Sequence, residues 1–248
     1  MIRDPLRLYE FGRQALSVLF PNRCPFCGEV IAAKDYYCAL CYKYLPFFYG
    51  KADTPEYISR LSVVCRYAMR ARTAVLSLKY GGLIYAADAF GLMMSEKLLR
   101  DQITADLLIP VPSSFLSVKS RGFATGELLA KRISLRLGIP YSCIVAARDG
   151  KVEQKRLSKK QRGENAKNSF YLAKNADVSG KRVILVDDVT TTGSTLSAIA
   201  RLLLDAGAED VEACVFAQTV HNVHDDKRIK IQRYRRIPFP KKDNGNQL

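Results

Sequence analysis

The chain lacks the features that assign a protein to several common classes. None of the apolar runs in its 248 residues approaches the roughly 18 residues that a membrane-spanning helix needs, so no membrane insertion is predicted. It has neither the Gly-Lys-Ser/Thr of a Walker phosphate loop nor the Gly-x-Gly-x-x-Gly of a dinucleotide-binding turn. Its only histidines, His221 and His224, follow the last predicted strand, which disfavours a histidine base or a second metal site in the core.

A signal peptide and a disulfide framework are not predicted either. The first residues carry an acid and no long apolar stretch, unlike a secretory leader. Cysteine occurs seven times, an odd number, and four of these residues stand in two Cys-x-x-Cys pairs. This usage predicts metal binding in a reducing, cytoplasmic compartment.

The two Cys-x-x-Cys pairs form the first motif. Cys24 and Cys27 are followed, ten residues later, by Cys38 and Cys41. This spacing predicts a tetrahedral Cys₄ zinc site, and four thiolates leave no open coordination position, so the zinc is expected to be structural. Four reduced cysteines of an ordinary core are the alternative. Residues 1–45 are therefore predicted to form an N-terminal helix and a zinc-ribbon module.

The second motif, residues 183–195, reads Val-Ile-Leu-Val-Asp-Asp-Val-Thr-Thr-Thr-Gly-Ser-Thr. Apolar residues end at two carboxylates, and a helical pattern begins after a polar turn, which predicts a buried parallel strand, a turn and a helix. Free N–H groups and the dipole at a helix start bind phosphate. Asp187 and Asp188 can accept hydrogen bonds from two ribose hydroxyls. The motif predicts a phosphoribosyl site at a strand's carboxyl end; an ordinary strand–turn–helix is the alternative.

Strand and helix patterns alternate along residues 46–219. The alternation predicts an α/β fold with a doubly wound, mainly parallel sheet. The motif strand is expected to end at Val186, the segment 113–121 is expected to be a loop, and Cys143 is expected to be buried in a strand. Residues 220–248 are predicted to be a flexible basic tail.

The second motif resembles the phosphoribosyl-pyrophosphate (PRPP) motif of type I phosphoribosyltransferases. Other segments stand before it in a characteristic order: Leu78-Lys79-Tyr80-x-Gly82, Ile109-Pro-Val-Pro112, Arg121-Gly-Phe123, and the spaced set Gln154, Leu157, Arg162, Asn165 and Phe170. Together with the Cys₄ knuckle, this order resembles the ComF family, phosphoribosyltransferase-like proteins linked to bacterial competence for natural transformation. The resemblance covers about residues 15–219.

The resemblance implies a type I phosphoribosyltransferase fold, Mg²⁺ bound with PRPP, and Asp187 and Asp188 as catalytic acids that stabilise developing positive charge. The residues expected to bind PRPP are Asp187, Asp188, Val189, Thr190, Thr191, Thr192, Gly193, Ser194, Thr195, Lys79, Tyr80, Ser113, Ser114 and Arg121. A flexible loop that closes over the reacting centre is expected to use Arg148, Gln154, Arg156, Arg162 and Asn165. For Lys79 and Arg121, a solvated surface cation is the alternative.

One departure from the family pattern follows Arg-Gly-Phe. The family usually places Asn-Gln there, whereas this chain has Ala124-Thr125. Any contact made by that amide pair has no equivalent in this chain.

The net charge of +15 is concentrated in two segments. Residues 148–167 and residues 220–248 each carry eight Lys or Arg against three acids. This distribution fits polyphosphate ligands, single-stranded DNA or both, and it also fits a solvated basic surface.

Three functions stay open. The first is a cytoplasmic competence protein that binds PRPP and handles incoming single-stranded DNA, with competence or recombination proteins as further partners. The second is an active phosphoribosyltransferase that transfers ribose-5-phosphate to a nitrogen acceptor. The third is a PRPP-sensing regulator without turnover.

Overall fold

The computed structural model describes residues 4–148 and 169–219. In these ranges the helices are α1 (Pro5–Leu16), α2 (Ala39–Lys43), α3 (Met69–Tyr80), α4 (Ala86–Arg100), α5 (Phe115–Arg121), α6 (Thr125–Leu137) and α7 (Ser194–Asp205). The strands are β1 (Leu61–Arg66), β2 (Leu107–Pro110), β3 (Val145–Ala147), β4 (Phe170–Leu172), β5 (Arg182–Thr190) and β6 (Asp210–Gln218). None of the described helices is both long and apolar enough to cross a membrane.

The central sheet has the order β1-β6-β5-β2, and its three neighbouring pairs are all parallel. The predicted α/β fold is therefore confirmed. Val183 and Leu185 of β5 face one core cluster and Ile184 and Val186 face the other. A strand covered on both faces needs apolar residues at every position, which explains the unbroken apolar run. α3, α4 and α6 cover one face, and α7 covers the other together with the antiparallel pair β3–β4.

Three local expectations were wrong. β5 continues past Val186, because β6 is equally long and pairs with it as far as Thr190. The segment after Pro112 is not all loop: Ser114 caps α5, and Gly122 ends the helix at a φ of +84°. Cys143 precedes β3 and is exposed.

Residues 24–41, which carry the four motif cysteines and are called the zinc knuckle below, pack into the core of the sheet. Phe26, 2% exposed, lies against Phe90 of α4 and Phe216 of β6, with ring centroids 6.1 and 6.4 Å away. Cys24 and Cys41 are buried in the same cluster. The knuckle and the α3/α4 face of the sheet therefore share one hydrophobic core.

Candidate functional site

The acid pair lies in the last part of β5, at the carboxyl end of the parallel sheet. Asp188 has a side chain only 3% exposed, whereas Asp187 is half-buried. The backbone N–H of Asp188 donates to Oδ1 of Asp187 at 2.8 Å, which orients the Asp187 carboxylate. Adjacent residues of a strand point to opposite faces, so the two carboxylates flank the strand end.

Lys79, in the last turn of α3, supplies the counter-charge for Asp188. Its Nζ lies 2.9 Å from Asp188 Oδ2, and its side chain is 25% exposed. No described residue has a donor aligned for a hydrogen bond to this oxygen, so the contact is an ion pair that leaves the oxygen able to accept a further donor. Tyr80, next along the chain, is 75% exposed. The structure thus places Lys79 at the acid pair as its counter-ion.

The environment of Asp187 disfavours its ionised form. Burial, followed by the neighbouring Asp188 carboxylate, raises the pKa of Asp187 well above its ordinary value. A carboxylate held in this way is stabilised by a ligand that brings hydroxyl donors or a cation.

The turn after β5 and the start of α7 form the other half of the site. Gly193 precedes α7 with a φ of +74°, and the helix has no side-chain cap and no acid in its first turn. The first N–H groups of a helix have no partner within it. Ser194 N–H donates to Thr192 Oγ1 at 3.5 Å, and the N–H groups that follow it are available to an anion. The exposed hydroxyl residues around them are Thr191, Thr192, Ser194 and Thr195.

Two members of the predicted PRPP set belong to the strand instead of the turn. Val189 and Thr190 pair with Ala217 and Gln218 of β6, and Thr190 is buried. Their backbone groups take part in the sheet, so they position the turn that follows.

The loop after β2 supplies the other predicted PRPP residues. Ser113 is half-buried. Ser114 accepts the N–H of Ser117 at 3.3 Å and donates to its Oγ at 2.9 Å. Arg121 donates from Nε to the carbonyl of Ser117 at 3.2 Å. In the structure Ser114 and Arg121 thus contact their own helix, and their contact with PRPP stays a prediction.

The Ala124-Thr125 departure lies at the start of α6. Ala124 provides no side-chain cap for the helix, and Thr125 is buried with no partner for its Oγ1 among the described residues. The next residue, Gly126, lets the helix approach the strand ends, since a Cβ there would lie 2.6 Å from the carbonyl oxygen of Val111.

Of the predicted flexible loop, only Arg148 is described. Its backbone N–H donates to the carbonyl of Ser169 at 2.8 Å, so the β3–β4 pair holds together the two ends of the intervening segment. Gln154, Arg156, Arg162, Asn165 and the basic tail 220–248 lie outside the described residues.

The four motif cysteines form a zinc site. Their sulfur atoms all lie within 4.8 Å of one another. The 3.8 Å between the sulfurs of Cys27 and Cys38 matches the edge of a tetrahedron whose metal–sulfur bonds are about 2.3 Å. A hydrogen bond from Cys41 lowers the pKa of Cys24 to about 5, so this sulfur is available as a thiolate. Four sulfur ligands fill the site, which fits structural zinc.

Arg70, in the first turn of α3, is a functional residue that sequence reasoning missed. Its Nη1 lies 2.7 Å from Cys41 Sγ and donates to it. Such a donor orients a metal ligand and offsets part of its negative charge. Nothing in the local pattern pairs these residues, which are 29 positions apart. Because α3 also carries Lys79, this helix contacts both the zinc site and the acid pair.

Comparison with known proteins gives two domain matches. The model of the phosphoribosyl transferase domain matches residues 96–241, and the model of the double zinc ribbon domain matches residues 15–52. The predicted zinc ribbon is confirmed by the second match and by the cysteine cluster.

The chain also resembles individual proteins. It is 32% identical over 194 residues to Competence protein F of Haemophilus influenzae, covering 76% of this chain and 82% of that protein. It is 28% identical over 237 residues to DNA utilization protein YhgH of Salmonella typhi, covering 89% and 96%. A purine phosphoribosyltransferase structure from Pyrococcus horikoshii is 25% identical, covering 53% of this chain and 71% of the other at a TM-score of 0.35.

Proposed function

Because the chain belongs to the ComF family of phosphoribosyltransferase-domain proteins, we propose that it binds PRPP with Mg²⁺ and handles incoming single-stranded DNA in the cytoplasm during natural transformation. The observation that carries the PRPP proposal is the juxtaposition of the acid pair at the end of β5 with the uncapped start of α7.

Each half of this site matches one part of a phosphoribosyl group. The free N–H groups of α7 and the hydroxyls around them suit the 5′-phosphate. Asp187 and Asp188 accept hydrogen bonds from the ribose hydroxyls, and Lys79 forms an ion pair with Asp188 at 2.9 Å. Asp188 Oδ2 is buried against Lys79, so Asp187, the more exposed of the two acids, is the one that such a hydroxyl reaches first.

Two carboxylates with free oxygen lone pairs also fit Mg²⁺, which prefers oxygen ligands and shares them with substrate phosphates. When bound, the ion supplies charge neutralisation for the pyrophosphate. Asp187 would hold it from the protein side, because a cation beside this acid relieves the burial and repulsion that disfavour its ionised form.

Calorimetric titration with Mg²⁺ and PRPP tests the site. The double variant Asp187→Asn, Asp188→Asn should lose detectable binding while its circular dichroism stays that of the wild type. Asp205→Asn is the matched control, since it removes an exposed carboxylate from the other end of α7. Unchanged affinity in the double variant would show that the acid pair does not bind PRPP.

A second candidate is transfer of ribose-5-phosphate to a nitrogen acceptor. A cavity of about 300 Å³ favours it. The cavity lies beside Ser113 at the end of β2, and its walls are mainly apolar, with Glu127 as an acid among them. This volume suits a small planar ring. Release of pyrophosphate on addition of candidate bases would establish turnover; a protein that binds PRPP without releasing pyrophosphate is a binding protein.

The proposed DNA function is supported by the net charge of +15 and by the names of two relatives, a competence protein and a DNA utilization protein. Binding of a fluorescent single-stranded oligonucleotide should be measured with and without PRPP. No binding in either condition would remove single-stranded DNA from the proposal and leave the PRPP site standing.

A further inference from the structure

Aromatic residues from one short stretch of the sequence line a groove between residues 42–50, which follow the motif cysteines, and α4. This tyrosine groove has a volume of about 450 Å³, and its walls include Tyr42, Phe47, Tyr49, Lys97 and Arg100. It lies along β1, the edge strand on the opposite side of the sheet from β2. It is therefore separate from the acid pair on β5, and the motifs of the chain do not account for it.

The rings of the groove are held in place and partly open to solvent. Tyr42 stacks on Tyr37 with centroids 5.1 Å apart and meets Phe47 edge-on at 5.0 Å. The N–H of Phe48 donates to the carbonyl of Val64 at 2.9 Å, so the segment runs extended beside β1. Phe47 and Tyr49, two residues apart, then point the same way. Tyr49 is 79% exposed, which leaves a ring face free for a ligand.

The lining of the groove contains two cations, Lys97 and Arg100. Lys97 is paired with Asp101 at 2.7 Å, but Arg100 is exposed and no carboxylate of the described residues forms an ion pair with it. Lys43 and Lys51 are exposed and stand next in sequence to the lining residues Tyr42 and Gly50. The acid among the lining residues is Glu96.

We propose that the tyrosine groove binds single-stranded nucleic acid, with a base stacked on Tyr49 and an adjacent phosphate held by Arg100. Open aromatic faces beside unpaired cations are the combination that recognises unpaired bases on a phosphate backbone. A duplex hides its base faces, so it cannot use the groove in this way. The proposal rests on the proposed handling of single-stranded DNA and gives that function a place in the fold. β1 lies two strands from β5, about 10 Å across the sheet, so the groove and the acid pair use different strands.

The absence of tryptophan from the chain permits a direct test of stacking. Tyr49→Trp keeps an aromatic ring at the groove and makes it the only tryptophan. Its fluorescence should be quenched to saturation by an oligothymidylate, and much less by the same length of duplex. Phe11→Trp, on an exposed position of α1, is the matched control and should not respond. Full oligonucleotide binding by anisotropy without quenching at position 49 would overturn the proposal.

Removal of the two groove side chains tests the contacts. Tyr49→Ala should weaken oligothymidylate binding at least roughly fivefold, the lower end of the effect of losing one stacked base. Arg100→Ala should reduce the slope of log affinity against log salt by about 0.7. The controls Phe11→Ala and Arg7→Ala remove exposed groups of the same kinds from α1.

The outcomes separate this inference from the proposed function. If the wild-type protein binds the oligonucleotide and the groove variants behave like the α1 controls, the assignment of binding to the groove is wrong. The proposed DNA function is then unaffected. If the wild type does not bind, both fail, while calorimetry with PRPP still reports on the acid pair. A mononucleotide or a peptide that binds the groove as tightly as the oligonucleotide would overturn its assignment to a strand.

Discussion

At the residue scale, the neighbouring carboxylates of β5 have different environments and therefore different tasks. Asp188 is buried and has Lys79 as an ion-pair partner at 2.9 Å. Asp187 accepts the N–H of Asp188, but burial still raises its pKa well above the ordinary value. The energetic cost of an ionised Asp187 in the free protein is offset only when a ligand arrives, which is why the two residues differ in what they contribute to stability.

Asp187→Asn is expected to stabilise the free protein at neutral pH and to weaken PRPP binding at least tenfold. In the unfolded chain an aspartate titrates near about pH 3.9, and its folded pKa is higher, so the folded state binds more protons between these values. The contribution of Asp187 to the free energy of unfolding therefore falls as pH rises through this window. Urea denaturation at pH 4 and pH 7 measures this.

Asparagine does not titrate. The free energy of unfolding of Asp187→Asn should therefore exceed that of the wild type by more at pH 7 than at pH 4. Asp205→Asn, at an exposed carboxylate, should show no such growth. If the difference in the free energy of unfolding between the variant and the wild type is the same at both pH values, the pKa of Asp187 is not raised in the folded protein.

Gly193 determines the shape of the turn between β5 and α7. A left-handed conformation costs an L-residue about 1–2 kcal/mol. Gly193→Ala should lower the free energy of unfolding by more than this amount. The excess arises because the new Cβ would meet Pro55 Cγ at 2.3 Å. Gly180→Ala is the matched control, with a φ of +64° and open space around the Cβ. Equal losses in the two variants, measured by urea denaturation, would show that the Pro55 contact is unimportant.

At the element scale, α3 connects the two sites. Its first turn carries Arg70, which donates to Cys41, and its last turn carries Lys79, which pairs with Asp188. Between these ends, Ala71, Ala74, Val75 and Leu78 are buried, spaced so that one face of the helix packs into the core. A shift of the helix at the zinc end therefore displaces Lys79 at the other.

Arg70→Gln should lower zinc affinity by a factor of roughly 10 to 100, the usual effect of losing a partner of a metal ligand. It should also weaken PRPP binding, because α3 loses its anchor at the knuckle. Zinc release to a chromogenic chelator and calorimetry with PRPP give the two readouts. Arg72→Gln, on the exposed side of the same helix, should change neither, and a wild-type PRPP affinity in Arg70→Gln would show that the zinc site and the acid pair are independent.

At the scale of the whole molecule, the zinc knuckle is part of the core of the sheet. The rings of Phe90 and Phe216 stack 3.7 Å apart, and Phe26 of the knuckle covers them. Metal binding supplies folding free energy to small knuckles of this kind. Through Phe26, that free energy extends to α4 and β6.

Phe26→Ala is expected to destabilise the whole protein by about 3–5 kcal/mol, the usual effect of removing a buried phenylalanine ring. Chelation of zinc should likewise lower the midpoint of a single calorimetric unfolding transition. A second, separate transition in the chelated protein, with the main one unchanged, would show that the knuckle folds on its own. Phe11→Ala, at an exposed ring, is the control.

Structural features that depend on residues close together in the sequence could be predicted. The Cys-x-x-Cys pairs place their sulfurs by local turns, and the four sulfurs do meet. The apolar run, acid pair, polar turn and helix pattern of residues 183–195 produce β5, its turn and α7. In each case, neighbours along the chain determine the geometry, so spacing alone carries the information.

Contacts between distant segments were decided by the tertiary structure. The length of β5 depends on β6, whose pairing carries it through the acids to Thr190. The counter-ion of Asp188 comes from α3. The tyrosine groove brings residues 42–50 together with residues of α4. No periodicity or spacing links such residues, because packing of the helices against the sheet brings them together only after each element has formed. Local motifs therefore define the chemistry of each site, and packing between distant elements defines the partners of its residues.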